Sequence, residues 1–372
     1  MAVRAPRDLA AAMHPAPMDT VRISTPQSLL RLLPHLVGTP EPPSLIVLPF
    51  TEGRSGMPMT LDLPDPGCPV DAFDGCAIAI DRGAPHADAL VLIAVVVAPI
   101  GSGSLPLRDE LRALAGRLEE GGWHVRELLV LGPDAWGDYT YPDAARGPLA
   151  ELDLLDNPAS GLERPRAVPP VPERADGPHL AAVDAHLDTV PTPALHAAMA
   201  APIEALELAL DQVQRLGSGG GALGVDPARA VALAVLLVQL PHYRDVAIDV
   251  ALDGVDRARE SVDDPDGPAA ERAAERILGI GPAPDPERLH DRLDLWSAIA
   301  AATPLDHRAP VLVIVGFLHY FLGRARTAVR CADLAQALDP ALTMAPLLRQ
   351  VVDTKLAPDW VLAHALGGSK AA

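Results

Sequence analysis

Arg308-Ala-Pro-Val-Leu-Val-Ile-Val-Gly-Phe-Leu-His-Tyr-Phe-Leu-Gly323, followed at once by Arg324-Ala-Arg-Thr-Ala-Val-Arg-Cys-Ala-Asp-Leu-Ala-Gln-Ala-Leu-Asp-Pro340, is the stretch on which the reading of the fold turns. Its spacing predicts two antiparallel helices. Gly316 and Ala328 are small enough to let the pair cross closely, Gly323 supplies the turn, Ala335 faces inward, and the Asp339-Pro340 step ends the second helix. The layout is tetratricopeptide-like, and hairpins of that kind bind other proteins rather than transform substrates. The apolar run 311–322 contains His319 and is shorter than the ~20 residues a bilayer span requires, so it is expected as buried helix.

The pattern stays helical outward from this hairpin. Runs at 203–216, 227–240, 243–259, 269–278 and 286–301 precede it and a last pair within 341–366 follows, several of them opened by proline, which predicts an all-α, helical-repeat-like domain over 201–372. Before it, Pro165, Pro169, Pro170, Pro172, Pro178, Pro191 and Pro193 break any periodicity, so 157–200 is expected as a Pro-rich linker with one helical turn near 179–187. The amino-terminal part reads differently. Thr25-Pro26 opens a helix over 27–37, and 44–50 and 57–63 form a hairpin around Thr51-Glu-Gly-Arg-Ser-Gly56. A helical spacing over 69–82 leads to a strand at 90–97, Ser104-Leu-Pro106 opens a helix through Glu120, and 123–131 is again a strand. A hairpin followed by two strand–helix–strand crossovers implies an α/β domain with a mixed sheet over 20–156, behind a disordered leader at 1–19.

Composition excludes several classes. Among 372 residues, 49 acidic side chains against 30 basic ones leave a net charge of −19, and such a surface repels nucleic acid and anionic lipid. Neither is expected as a partner. Cys68, Cys76 and Cys331 are too few and too scattered for a disulfide framework or a zinc site, and the first twenty residues show no apolar leader, so a cytoplasmic protein is expected. Only 3% of residues are aromatic, which argues against a large pocket for a flat cofactor. No cofactor is expected.

Several segments in order resemble the actinobacterial family known as domain of unknown function 4192. They are Ile23-Ser-Thr-Pro-Gln-Ser-Leu-Leu-Arg-Leu-Leu-Pro-His-Leu-Val-Gly38, Pro43-Ser-Leu-Ile-Val-Leu48, Gly53-Arg-Ser-Gly56 leading into Leu61-Asp-Leu-Pro64, and the stretch from Arg308 to Pro340. The family carries Trp/Ser/Tyr and clustered cysteines after the strand that here ends at Leu131. This chain has Trp136-Gly-Asp-Tyr139 and no cysteine nearby. The resemblance implies a shared fold and no assigned activity.

Candidate sites follow from residue type. Gly101, Ser102, Gly103 and Ser104 lie between a strand and a helix, where a phosphate or nucleotide would sit, but they lack the third glycine of a dinucleotide fingerprint and the lysine of a Walker loop. A plain cap and turn is the simpler account. Asp62, Asp65, Asp71 and Asp74 could crowd carboxylates for a metal, yet acids among Pro and Gly more often form turns. His35 ends a helix, and Asp184, His186 and His196 lack a further ligand at zinc spacing. In the hairpin, His319 and Tyr320 are sparse polar residues on a candidate groove, and Arg308, Arg324, Arg326 and Arg330 form a basic cluster able to meet an acidic peptide, or a solvated face. The expectation is a non-catalytic protein that binds another protein through its helical domain. The alternative is an enzyme or phosphate-ligand-binding domain using the loop 101–104.

Overall fold

The computed structural model describes residues 23, 25–37, 42–56, 58–65, 67–100, 105–140, 145–154, 171–174, 178–189, 201–217, 227–355 and 357–365. The expected leader, the loop 101–104, His196 and most of the Pro-rich stretch lie outside these residues.

An amino-terminal mixed sheet carries helices on both faces. α1 (Pro26–Val37) precedes β1 (Ser44–Thr51), β2 (Arg54–Ser55) and β3 (Met59–Asp62), and a 3-10 turn leads into α2 (Asp74–Gly83). Then come β4 (Ala89–Val95), α3 (Arg108–Glu120), β5 (His124–Leu131), β6 (Ala135–Asp138), β7 (Arg146–Pro148) and α4 (Leu149–Leu154). β1 pairs antiparallel with β3 on one side and β4 on the other, β4 pairs parallel with β5, and β6 and β7 add antiparallel strands beyond it. The two expected crossovers are therefore present, through α2 and α3. The β6–β7 pair was not read from the sequence, because four- and three-residue strands carry almost no alternation to detect.

The two-residue period of the strands sorts the core into two layers. Leu45, Val47, Leu90, Leu92, Ala94 and Val130 meet Phe73, Ile80, Leu111, Leu114 and Leu118 on one face. Ile46, Leu48, Val91, Ile93 and Leu129 meet Leu29, Leu30 and Leu33 of α1 and Leu152 of α4 on the other. α3 starts at Arg108 rather than at Ser104, since Leu107 takes a left-handed φ of +58° while its side chain stays buried. Packing of that leucine outweighs the backbone strain of about 1 kcal/mol.

The carboxy-terminal region is helical: α5 (Pro178–Leu187), α6 (Pro202–Gly217), α7 (Pro227–Val238), α8 (Pro241–Asp253), α9 (Val255–Asp263), α10 (Pro268–Ile277), α11 (Pro286–Ala301), α12 (Leu305–Phe321), α13 (Ala325–Leu338), α14 (Met344–Lys355) and α15 (Asp359–Ala365). The run expected as one helix over 243–259 is two, broken at Gly254, whose φ of +87° no helix accommodates. α12 is the axis of this region. It is buried from Arg308 to Phe321 and packs against α7, α8, α11, α13 and α14. A Cβ on Gly316 would lie 2.6 Å from Leu348 Cδ2 and 3.1 Å from Cys331 Cβ, so the glycine lets α13 and α14 close on α12. Ala328 and Ala335 are fully buried on the facing helix, as the hairpin spacing predicts.

The described part of the expected linker is not free chain. α5 packs on α7 and buries Val183 in the helical core, while Pro172 accepts a hydrogen bond from Arg308 through its carbonyl. A sequence rich in proline conceals this, because the apolar positions of α5 show almost no one-sided helical spacing.

Candidate functional site

The polar residues singled out in the hairpin do not form one surface. Arg308, His319 and Tyr320 are 5%, 1% and 0% exposed. Helix α12 is apolar on every side, so its polar residues are enclosed with it, and a partner cannot reach these three side chains in this conformation. Arg308 donates from Nη2 to the Pro172 carbonyl, and Tyr320 donates from Oη to the Leu278 carbonyl at 3.3 Å. Neither ring nitrogen of His319 has a hydrogen-bond partner among the described residues. Burial, helped by Arg324, pushes that imidazole down to about 3, so it is neutral at physiological pH. Burial also brings the half-buried Arg324 down to about 10. Arg326 reaches across to β3 and pairs with Asp62 at 2.5 Å, in contact but not aligned as a hydrogen bond. Of the six, Arg330 is the exposed one.

The acids near β3 are likewise held by arginines. Asp62 pairs with Arg326, and both Asp71 and Asp74 pair with Arg117 of α3. No group of three or more metal-ligating side chains is gathered among the described residues. His35 sits in the last turn of α1 and His186 in the last turn of α5, the helix ends where a histidine meets the carboxy-terminal dipole favourably.

The structure draws attention instead to a cleft that the sequence reading missed. The first turn of α8 and the first two turns of α14 border an open, shallow cleft of about 460 Å³, with Pro241, Arg244, Asp245, Thr343, Leu347 and Gln350 among its lining. Arg244 is 5% exposed, yet its Nε and Nη1 are sealed from solvent with no acceptor. The guanidinium makes no hydrogen bond or ion pair with the described residues. Burial lowers its pKa, while Asp245 and Asp339 act on it through space in the opposite sense. The Asp245 carboxyl is raised by desolvation, a shift that Arg244 partly opposes. Two nitrogens of the guanidinium are thus buried without an acceptor, and Asp245 and Asp339 offset that cost only through space.

One signal could have found it. Arg244 falls inside a run from Tyr243 to Leu252 that is buried at every position but Asp245, so a charged side chain occupies an inward position on an apolar helix. Only the arrival of α14, about a hundred residues later in the chain, turns that position into a cleft wall.

A family model described as a domain of unknown function (DUF4192) matches residues 26–359. No curated protein and no solved structure matches the chain.

Proposed function

The chain belongs to this DUF4192 family, and we propose that it is a non-catalytic, cytoplasmic interaction or scaffold protein whose tetratricopeptide-like helical region binds a partner protein. One observation carries the reading: the helical region presents a cleft that joins an unbonded buried cation to an exposed leucine, Leu347, 41% exposed. A polar anchor beside apolar contact area is the usual composition of a recognition site. The acidic net charge of −19 makes nucleic acid and anionic membranes poor occupants. On this reading the α8–α14 cleft, rather than the hairpin arginines, is the binding surface.

The test compares co-purification from the native host by the intact chain and by a Leu347→Glu variant. A protein retained by the intact chain and lost with the variant is the expected result. Identical recovery from both, or no retained protein at all, would overturn the reading.

A further inference from the structure

We infer that Asp249 is a proton-operated latch: it takes up a proton from solvent when α9 closes on α8 and releases it when α9 swings away. The hydrogen bonds at this residue call for one more proton than an ionised carboxylate leaves. Ser261 Oγ of α9 lies 2.7 Å from Asp249 Oδ2 and 2.9 Å from the Ala258 carbonyl oxygen, yet a hydroxyl carries a single hydrogen for those two acceptors. With a proton on Asp249, the carboxyl donates to Ser261 Oγ and the hydroxyl donates to Ala258, so both contacts are satisfied. Asp249 is 4% exposed, and no cation among the described residues pairs with it. Arg276 of α10 acts on it only through space, since Nε and Nη2 go to Asp253, at 3.0 Å each, and Nη1 to the Pro282 carbonyl. Asp253 itself stands one turn further along α8 and adds a like charge.

The helix α9 is built to move on such a latch. Gly254, at a φ of +87°, joins it to α8, and Ala258 is its one buried side chain, as Arg276 is that of α10. Polar ties rather than a broad apolar face therefore hold it down. The other charges around α8 are engaged or face solvent. Arg288 of α11 donates to the Ala251 and Leu252 carbonyls, Arg292 of α11 and Arg259 of α9 pair with Glu207 and Glu204 of α6, and Asp256, Arg257 and Glu260 are exposed. Helix α7 meets the core with apolar residues, and on α12 Arg308 is bonded to Pro172 while His319 is neutral. Asp245, a turn earlier on α8, is coupled to Arg244 and His242. Burial raises the Asp249 carboxyl above its ordinary value; the Ser261 hydrogen bond opposes this, Asp253 adds to it and Arg276 opposes it. Opening α9 returns the carboxyl to water and to its ordinary value. Closure is thus favoured at low pH, and that advantage is lost as pH rises from the ordinary value to the raised one.

Hydrogen exchange of the full chain, followed by mass spectrometry between pH 5 and pH 8 and corrected for intrinsic rates, tests the inference. Protection of residues 255–263 in wild type should fall by at least about fivefold from pH 5 to pH 8. Asp249→Asn, whose amide donates to Ser261 at any pH, should hold that protection at the wild-type pH 5 level throughout. Peptides from α3 and β5 are the reference and should change alike in both chains. No fall in wild type, a fall matched by the Asn variant, an Asn variant less protected than wild type at pH 8, or a fall shared equally by α12 overturns the inference. Should Asp249→Asn not fold, Ser261→Ala decides: it should lower the pH 5 protection of 255–263 to the wild-type pH 8 level, and unchanged protection overturns the latch.

Discussion

His319 shows how one residue links burial to pH. Its imidazole titrates at about 3 in the folded chain against an ordinary 6.5, so on acidification the unfolded chain takes up a proton that the folded chain refuses. The contribution is complete above the unfolded value and is lost as pH falls from there toward the folded one, at up to ~1.4 kcal/mol per pH unit. A His319→Leu variant removes this dependence. The difference in urea midpoint between variant and wild type should widen in the variant's favour from pH 7 to pH 5, and the same carboxylates titrate in both chains, so their effects cancel. At pH 7 the variant should be within about 1 kcal/mol of wild type or above it, because no hydrogen bond is lost. Parallel pH dependences for the two chains would show that the imidazole is solvated after all.

At the level of elements, two joints hold the helical region together. The loop after α10 places Gly279 at a φ of +79°, and a Cβ there would stand 2.7 Å from Tyr320 Oη and 2.9 Å from Pro358 Cα. The Gly279 carbonyl meanwhile accepts from the Asp359 amide at 2.8 Å, at the start of α15. Nearby, Arg276 forms a bidentate pair with Asp253, 3.0 Å at each contact, and stacks over Trp360. Gly279→Ala should cost about 2 kcal/mol or more in thermal unfolding, combining strain with the clash. Gly116→Ala is the control, since that α3 glycine has open space around it, and it should stabilise by ~0.5–1 kcal/mol. The second joint is α5. Val183→Asp places a charge where the residue is 0% exposed, and a loss of roughly 3 kcal/mol with a lower urea midpoint is expected. Were that variant as stable as wild type, the docking of α5 on the helical core would not hold in solution.

Across the whole molecule, the apolar cores of the described residues are separate. The large one is assembled from residues between 183 and 361 with a small satellite at Leu237 and Tyr243, two more line the faces of the amino-terminal sheet, and the Arg326–Asp62 pair bridges the regions. Asp62 is 76% exposed on its side chain, so this bridge is worth at most about 1 kcal/mol. The four tryptophans divide evenly: Trp123 and Trp136 report on the sheet, Trp296 and Trp360 on the helical core. Chains keeping only Trp136 or only Trp296 should therefore give different fluorescence midpoints in urea. Coincident midpoints would mean that the regions unfold as one unit.

The sequence by itself determined the long strands, most of the helices and the apolar faces that α1 and α3 bury, but not the short strands β6 and β7 or the break at Gly254. The unbroken apolar runs 45–48 and 90–95, the leucine stripe of α3 and the small residues Gly316, Ala328 and Ala335 are local patterns, and their consequences are local. The tertiary structure decided what the polar residues do. Arg308, His319 and Tyr320 look like surface contacts until α12 is seen to be enclosed by its neighbours. Asp62, Asp71 and Asp74 look like a carboxylate cluster until Arg326 and Arg117 arrive from other helices. Arg244 borders a cleft only because the start of α14 comes near the start of α8. Burial and pairing of a charge depend on which distant segments pack around it, and spacing along the chain does not encode that information.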